Sequence, residues 1–395
     1  MSIQRLEISG FRSLKDVVWE PGSLNVLIGP NGAGKSNLLR ALHLLKAAAE
    51  GNLSKTVRAW GGMVPLLWDG RTNSIRYSVS GDFPSRIVYE LVMEQLGLSG
   101  GFRIGRESLE YVKDMPESPQ SPDIRKLIER TSTRATLFDL HKQGRAVEIE
   151  LKSQDEDEAT LFRGSFIEMG TTSIVISTTQ NALADQRIYH DIRVDQEAEM
   201  RRAAVARRET RVEPDGSNLI SVLHTLYSED REFKQELNTA MKAAFSDEFE
   251  ELVFPPAEDG RVQLRVRWRS LKREQSAGDL SDGILRFLFL LVVLGSSQPP
   301  PLIAIDEPET GLHPSMLPLV AEFAADAARR TQVILTTHSP QFLNAFQNRA
   351  DIVTVVEYHE GKTHLRRLPE VELARWLEYY QLGDLWLSGE LEGVG

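Results

Sequence analysis

Gly29-Pro-Asn-Gly-Ala-Gly-Lys35-Ser36 follows directly on Leu24-Asn-Val-Leu-Ile28, and this junction decides the fold. The octapeptide fits the pattern G-x-x-x-x-G-K-[ST]. Its three glycines let backbone N–H groups turn toward an anion and leave the anion room to approach. The run before it, apolar except for Asn25, has the character of a strand buried on both faces. The Leu- and Ala-rich stretch after it predicts a helix from about Lys35 to Ala49, whose N-terminus adds a partial positive charge. Strand, glycine loop and helix in that order make a phosphate-binding unit. Lys35 is placed to reach the β- and γ-phosphates of a nucleotide, and Ser36 to ligate Mg2+.

Farther along, three more segments carry chemistry. Leu302-Ile-Ala-Ile-Asp306-Glu307 is a second buried strand, ending in two acids. Asp306 at the strand end suits Mg2+ held through water, and Glu307 is placed to polarise an attacking water. Alone, the two would read as a salt-bridged acidic pair. Val333-Ile-Leu runs into Thr336-Thr-His338-Ser, and a His at that strand end can hydrogen-bond a γ-phosphate or the water. A lone His in a turn is usually structural. Here its place after a phosphate loop and an acid pair argues for a role. Leu280-Ser281-Asp-Gly283 precedes the amphipathic stretch 284–295. Ser281 suits an N-cap, and Ser with Gly at a helix N-terminus is a second anion site. By itself that tetrapeptide is an ordinary cap.

Residues 2–9 and 13–20 alternate like strands about a turn at Gly10-Phe-Arg12, and 73–112 alternate like an antiparallel sheet. A Pro/Ser loop is expected at 114–123, an acidic surface turn over Glu148–Glu158, and a helical pattern from about 195 to 246. Beyond residue 260, strands and helices alternate, which implies a parallel sheet. The expected organisation is an N-terminal lobe over 1–114, an inserted, partly helical lobe over 115–246, and a C-terminal lobe over 247–395. No internal repeat and no sustained heptad run are found.

A net charge of −11 argues against a global basic face for nucleic acid. Local basic clusters stand at Arg201, Arg202, Arg207 and Arg208, and at Arg261, Arg265, Arg267 and Arg269. The second set alternates like a strand with one basic face, open to phosphate contact, although charge runs are more often solvated faces. The chain has no cysteine, so disulfides and thiolate metal sites are excluded. The N-terminus lacks the apolar stretch of a signal peptide. The run Ile284–Leu294 is interrupted by Arg286 and too short to span a bilayer. A soluble cytoplasmic protein is expected, without a membrane partner.

Taken in order, these elements resemble an ABC-type ATPase: Walker A at 29–36, signature at 280–283, Walker B at 302–307 and switch His338. ABC transporters share only this core. The closer resemblance is to the soluble RecF/SMC/OLD-like group, with its predicted bacterial AAA-type ATPases. It is carried by Ile8-Ser-Gly-Phe-Arg12-Ser-Leu, by Asn37 after the phosphate loop, by Asp306-Glu-Pro-Glu-Thr-Gly-Leu-His-Pro314, by Thr337-His-Ser-Pro-Gln-Phe342 and by Leu382-Gly-Asp-Leu-Trp386. The middle of the chain matches only through Pro214-Asp-Gly-Ser-Asn-Leu219.

The resemblance implies an α/β P-loop NTPase, an ABC ATPase head with a mixed sheet, an antiparallel β subdomain and an inserted helical lobe. It implies ATP and Mg2+ as cofactors and a homodimer that sandwiches two ATP molecules. Arg12, Asn31, Gly32, Gly34, Lys35, Ser36 and Asn37 would contact nucleotide, Ser36 and Asp306 the metal. Glu307, His338 and Lys35 would be catalytic. Ser281 and Gly283 would cap the γ-phosphate held by the other protomer, and Glu309–His313 would cross the interface. Asp282 stands where the commonest signature has Gly. Gln120 and Gln143 are both open as the family's Q-loop glutamine, and neither context decides between them. The absence of a long coiled coil argues against a ring-forming arm, and the tail from Ser339 is too short for an appended nuclease domain. DNA and a separate effector protein are the candidate partners, in DNA repair or anti-phage defence.

Overall fold

The computed structural model describes the chain except for residues 1, 84, 98–99, 114–122, 132–133, 139–145, 151–170, 347–348, 369–372, 374–375 and 392–395. The loop expected at 114–123, save Asp123, lies outside the described residues, as do most of the acidic stretch 148–158, Gln120 and Gln143. By internal contacts the chain divides into two units. Met1–Gly22, Gly29–Gln186 and Val356–Arg366 form the first; Ser23–Ile28, Arg187–Val355 and Arg367–Gly395 form the second. The division in mid-chain therefore falls at 186/187, inside the segment 115–246 expected as one lobe.

The first unit holds an antiparallel sheet. Its strands are β1 (Ser2–Phe11), β2 (Leu14–Trp19), β4 (Ser74–Phe83), β5 (Ser85–Leu96), β6 (Gly101–Lys113), β7 (Asp123–Thr131), β8 (Arg134–Phe138) and β9 (Ala146–Glu150), in the order β2-β1-β4-β5-β6-β7-β8-β9. Alternation sets the register. Ile8 lies opposite Tyr77, and Tyr77 opposite Leu91, all three buried. The sheet expected over 73–112 thus continues to residue 150, through sequence that was expected to be partly helical. Pairing along a growing sheet edge supplies these strands with backbone partners, and a weak alternation does not advertise that. Helices α1 (Lys35–Ala49), α2 (Leu53–Ala59) and α3 (Thr171–Ala184) complete the unit. The ammonium of Lys46, buried on α1, donates to the Ala184 carbonyl at 2.6 Å and to Glu50 at 2.5 Å, while Gln180 on α3 donates to the Ala49 carbonyl at 3.0 Å. The end of α1 is thereby tied to α3.

The second unit is built on a parallel sheet. Its strands are β3 (Leu24–Ile28), β10 (Arg187–Tyr189), β16 (Leu302–Asp306), β17 (Gln332–Thr337) and the first residues of β18 (Val353–His359), ordered β10-β16-β17-β3-β18. All five residues of β3 are buried, as its apolar run predicts. β18 runs on into the first unit, where Glu360 and Gly361, at φ 52° and 79°, turn the chain back as β19 (Lys362–Arg367). Two small antiparallel sheets pair β11 (Ala204–Val205) with β13 (Arg261–Val262), and β12 (Phe249–Val253) with β14 (Arg265–Trp268) and β15 (Gln275–Ser276).

Among the described residues the helices of this unit include α4 (Leu219–Glu229), α5 (Arg231–Phe245), α6 (Asp282–Gly295), α7 (Leu317–Ala327), α8 (Pro340–Asn344) and α9 (Leu382–Leu387). Residues Leu285 and Phe287 to Leu294 of α6 are buried, so the helix is apolar nearly all round and lies inside the core. The helical pattern expected from 195 begins only at Leu219. Residues 195–218 are irregular apart from β11 and a single turn, Glu199–Arg201.

Candidate functional site

In the first unit, the phosphate loop is shaped from inside and braced from outside. Gly29, Gly32 and Gly34 have φ of 156°, 82° and 110°. A Cβ on Gly34 would lie 2.1 Å from the Thr363 hydroxyl, so the left-handed backbone and the tight fit both demand glycine there. The Thr363 hydroxyl lies 2.8 Å from the Ala33 carbonyl and 2.7 Å from the Ser13 hydroxyl, which accepts from Asn37 Nδ2 at 2.8 Å. The Lys35 ammonium is buried and donates to the carbonyls of Gly29 (2.7 Å) and Pro30 (3.1 Å). No side chain caps α1, and no acid stands in its first turn. The positive end of its dipole thus faces the glycine loop without a side-chain acceptor.

Arg12 belongs to the same unit, in left-handed backbone at φ 48°. Its guanidinium lies 5.9 Å from the ring centres of both Phe11 and Trp60, and its Nε is buried without a hydrogen bond among the described residues. Burial, and then the neighbouring Arg40, push its pKa down. A cation so placed gains from an incoming anion.

In the second unit, three parallel strands end side by side. Asp306 pairs with Thr336, and Thr337 with Ile28, the last residue before the glycine loop. The carboxyl ends of adjacent parallel strands are where α/β sheets bind ligands. The Thr336 hydroxyl donates to Asp306 Oδ1 and accepts from the Glu307 N–H at 3.1 Å. His190, just past β10, holds Nδ1 3.2 Å from Asp306 Oδ2. Glu307 is left-handed at φ 47°, a conformation that costs a non-glycine residue on the order of 1–3 kcal/mol. Its carbonyl accepts from Arg286 Nη2 at 3.0 Å, and its Oε1 lies 3.1 Å from Nδ1 of His338. The backbone is pinned on both sides, and the carboxylate is aimed at the His. Burial pushes the pKa of Arg286 down.

Glu309 is a second, buried acid. Its Oε1 accepts from the Thr337 hydroxyl at 2.5 Å and from the His338 N–H at 3.3 Å, and its Oε2 has no hydrogen bond among the described residues. Burial pushes its carboxyl pKa up, against the pull of those two donors. With its folded pKa above the unfolded 4.5, the stability it contributes is complete below that value and is lost as pH rises through the folded value. Glu309→Gln cannot ionise. Its melting temperature should gain on that of the unmodified protein as pH rises from 4.5 toward 8; thermal melts of both across that range check this, and a pH-independent gap refutes it.

Ser281 caps α6, accepting from the Ile284 N–H at 3.4 Å. A Cβ on Gly283 would come within 2.9 Å of the Gly311 carbonyl, so the loop at 280–283 is packed on the 309–313 segment. Nothing local marks His190, Arg201, Arg286 and Thr336, each of which has a partner 21 to 116 residues away. In the cluster Arg201, Arg202, Arg207 and Arg208, where a solvated face is the commoner expectation, the Arg201 guanidinium is buried. The expected basic strand is divided: Arg261 stands on β13 in a separate sheet, and the other three arginines have acidic partners. Arg267 pairs with Glu251 and Glu274, Arg265 with Glu274 (3.8 Å), and Arg269 with Asp247 (3.8 Å). Among the described residues, no group of three His, Cys, Asp or Glu side chains could hold a metal, and no helix is long and apolar enough to cross a membrane.

A protein-family model described as "AAA domain, putative AbiEii toxin, Type IV TA system" matches residues 24–344. The DNA replication and repair protein RecF of Bifidobacterium longum subsp. infantis is 31% identical over 135 residues, 32% of this chain and 31% of that protein. The OLD nuclease of Thermus scotoductus is 26% identical over 148 residues, 36% of this chain and 27% of that protein. The matched stretches thus span about a third or less of these relatives. In fold, the chain is similar to the SMC head crystallised with the C-winged helix domain of ScpA, at TM-score 0.59 and 16% identity, covering 95% of this chain and 100% of that one. It is similar, at TM-score 0.51 and 14% identity over 95% and 98% of the two chains, to an SMC head with an extended coiled coil in complex with the C-terminal domain of ScpA from Pyrococcus furiosus.

Proposed function

Because the chain belongs to this AAA-domain family and has the fold of an ABC-type head, we propose that it binds and hydrolyses ATP and closes on it as a homodimer. The observation that carries the reading is the gathering of Asp306, Glu307 and His338 at the parallel strand ends beside Ile28, where β3 hands over to the glycine loop. Lys35 and the backbone of the glycine loop take the phosphates, and Arg12 adds a cation with an unmet N–H. Ser36 and Asp306 are the residues that would hold magnesium. One carboxylate and one hydroxyl suit an ion that keeps its waters and draws its other ligands from phosphates. Bound with the nucleotide, magnesium would supply neutralisation of the charge that develops on the phosphoryl oxygens. Glu307 takes the proton of the attacking water, and His338 holds Glu307 or the γ-phosphate.

Ser281 and Gly283 complete the partner's nucleotide site, and Glu309–His313 lies along the same interface. The closure switches a DNA-repair or anti-phage defence complex. A second reading, an ATP-gated scaffold for an effector without direct DNA contact, is favoured by the ion pairs that occupy Arg265, Arg267 and Arg269. Both readings share the closure, and Ser281→Arg tests it. The variant should bind ATP as tightly as the unmodified chain yet sediment as a monomer with ATP and Mg2+, where the unmodified chain sediments as a dimer. Equal dimerisation of the two would defeat the in-trans role of Ser281.

A further inference from the structure

Arg201 closes the turn Glu199–Arg201, and its side chain is 3% exposed. Burying a guanidinium costs several kcal/mol unless its donors are met. Here they are met by six acceptors. Nε donates to the carbonyls of Val194 (2.9 Å) and Asp195 (3.0 Å) on its own segment. Nη1 donates to the carbonyls of Ala277 (3.3 Å), Gly278 (3.3 Å) and Leu280 (2.7 Å), and Nη2 to the Asp282 carboxylate. Four of the six lie within one stretch of six residues, and that stretch contains Ser281 and leads into Gly283. No lysine could do this. A single ammonium has three donors at one point, whereas the planar fork spans the loop.

Within the non-helical stretch 195–218, Arg201 reaches out to a loop 76 to 81 residues away. Asp282 stands where the commonest signature has Gly, and its carboxylate is the counter-ion of the buried cation. An acid in the first turn of α6 is also favoured by the helix dipole. With three carbonyls fixed on one side, the backbone from Leu280 to Gly283 is left little freedom. Ser281 is held in extended conformation at φ −66°, ψ 154°, with its hydroxyl on the Ile284 N–H.

We propose that Arg201 is a positioning residue for closure: it holds the Leu280–Gly283 loop in the shape that meets nucleotide on a second copy of this chain, with Asp282 as its partner. Arg201 touches neither nucleotide nor metal. It acts on how readily two protomers close and leaves alone how tightly one protomer binds ATP. The inference rests on the closure proposed above.

The test measures ATP turnover per protomer as a function of protein concentration, with ATP affinity and melting temperature measured on the same samples. The variants are Arg201→Met, Arg201→Lys and Asp282→Asn. Arg201→Met and Arg201→Lys should bind ATP within about twofold of the unmodified chain, yet need about tenfold more protein to reach half-maximal turnover, the equivalent of losing one or two net hydrogen bonds. Asp282→Asn keeps the shape and loses the charge, so its shift should be smaller, about two- to fivefold. A merely structural arginine would lower melting temperature and ATP affinity together without moving the half-maximal concentration. If Arg201→Met does not fold, Arg201→Lys and Asp282→Asn decide. Turnover of the unmodified chain that is independent of concentration would remove the closure itself. Concentration-dependent turnover that the variants reproduce unchanged would overturn the role of Arg201 alone.

Discussion

Lys35→Ala should lose ATP binding by about 10- to 10⁴-fold, read as the anisotropy of a fluorescent ATP analogue, with the fold intact. A charge-assisted hydrogen bond is worth about 1.5–3 kcal/mol, and Lys35 is expected to make one or two to phosphate oxygens. The structure says why the fold should survive. The ammonium is buried and is held by the carbonyls of Gly29 and Pro30. Truncation removes a buried cation along with its two acceptors' donor, and those losses partly offset one another. The loop's outer braces, Thr363, Ser13 and Asn37, are untouched. Melting temperature should therefore change little while affinity collapses. Lys35→Arg should fail as well, because a planar fork does not fit where one point charge sits between two carbonyls. Unchanged affinity in Lys35→Ala would mean that the glycine loop is not the phosphate site.

What could be read beforehand depended on distance along the chain. The strand at Leu24–Ile28, the helix from Lys35 to Ala49 and the cap at Ser281 are local. Their apolar runs, glycines and capping residue are contiguous in sequence, and the structure holds them at the expected bounds. The place of Asp306, Glu307 and His338 at strand ends was legible as well, since each follows an apolar run. What escaped was everything settled by tertiary contact. His190 follows a strand of only three residues, and nothing nearby marks it as a neighbour of Asp306, 116 residues on. Arg201 sits in a run of arginines, and its local pattern cannot tell a solvated side chain from a buried one. Arg265, Arg267 and Arg269 look like a free basic face until Glu251, Glu274 and Asp247 are brought across by chain pairing. Residues 195–218 form no helix longer than the turn Glu199–Arg201, because a local pattern is a weak guide where tertiary packing decides.

Glu307→Gln should bind ATP normally and lower turnover by about 10²- to 10⁴-fold, the range a positioned general base contributes. Gln has the same shape and can keep the contact with His338, but it cannot accept a proton from water. Glu307 is a good candidate because its backbone carries strain with a visible purpose. The left-handed φ of 47° is held by the Thr336 hydroxyl on the N–H and by Arg286 on the carbonyl, and the result is a carboxylate 3.1 Å from His338. Strain kept in place from both sides is more readily understood as aim than as accident. Because the chemical step is blocked after binding, the closed dimer should accumulate, and sedimentation with ATP and Mg2+ should show more dimer than for the unmodified chain. Glu309 makes the outcome decisive. It is the other glutamate near His338, but it is buried, and its Oε1 is engaged by Thr337 and by the His338 backbone. Its loss should therefore disturb the placing of His338 and cost far less in turnover than the loss of Glu307. If Glu309→Gln were the slower of the two variants, the base would be Glu309, and Glu307 would be the residue that orients the histidine.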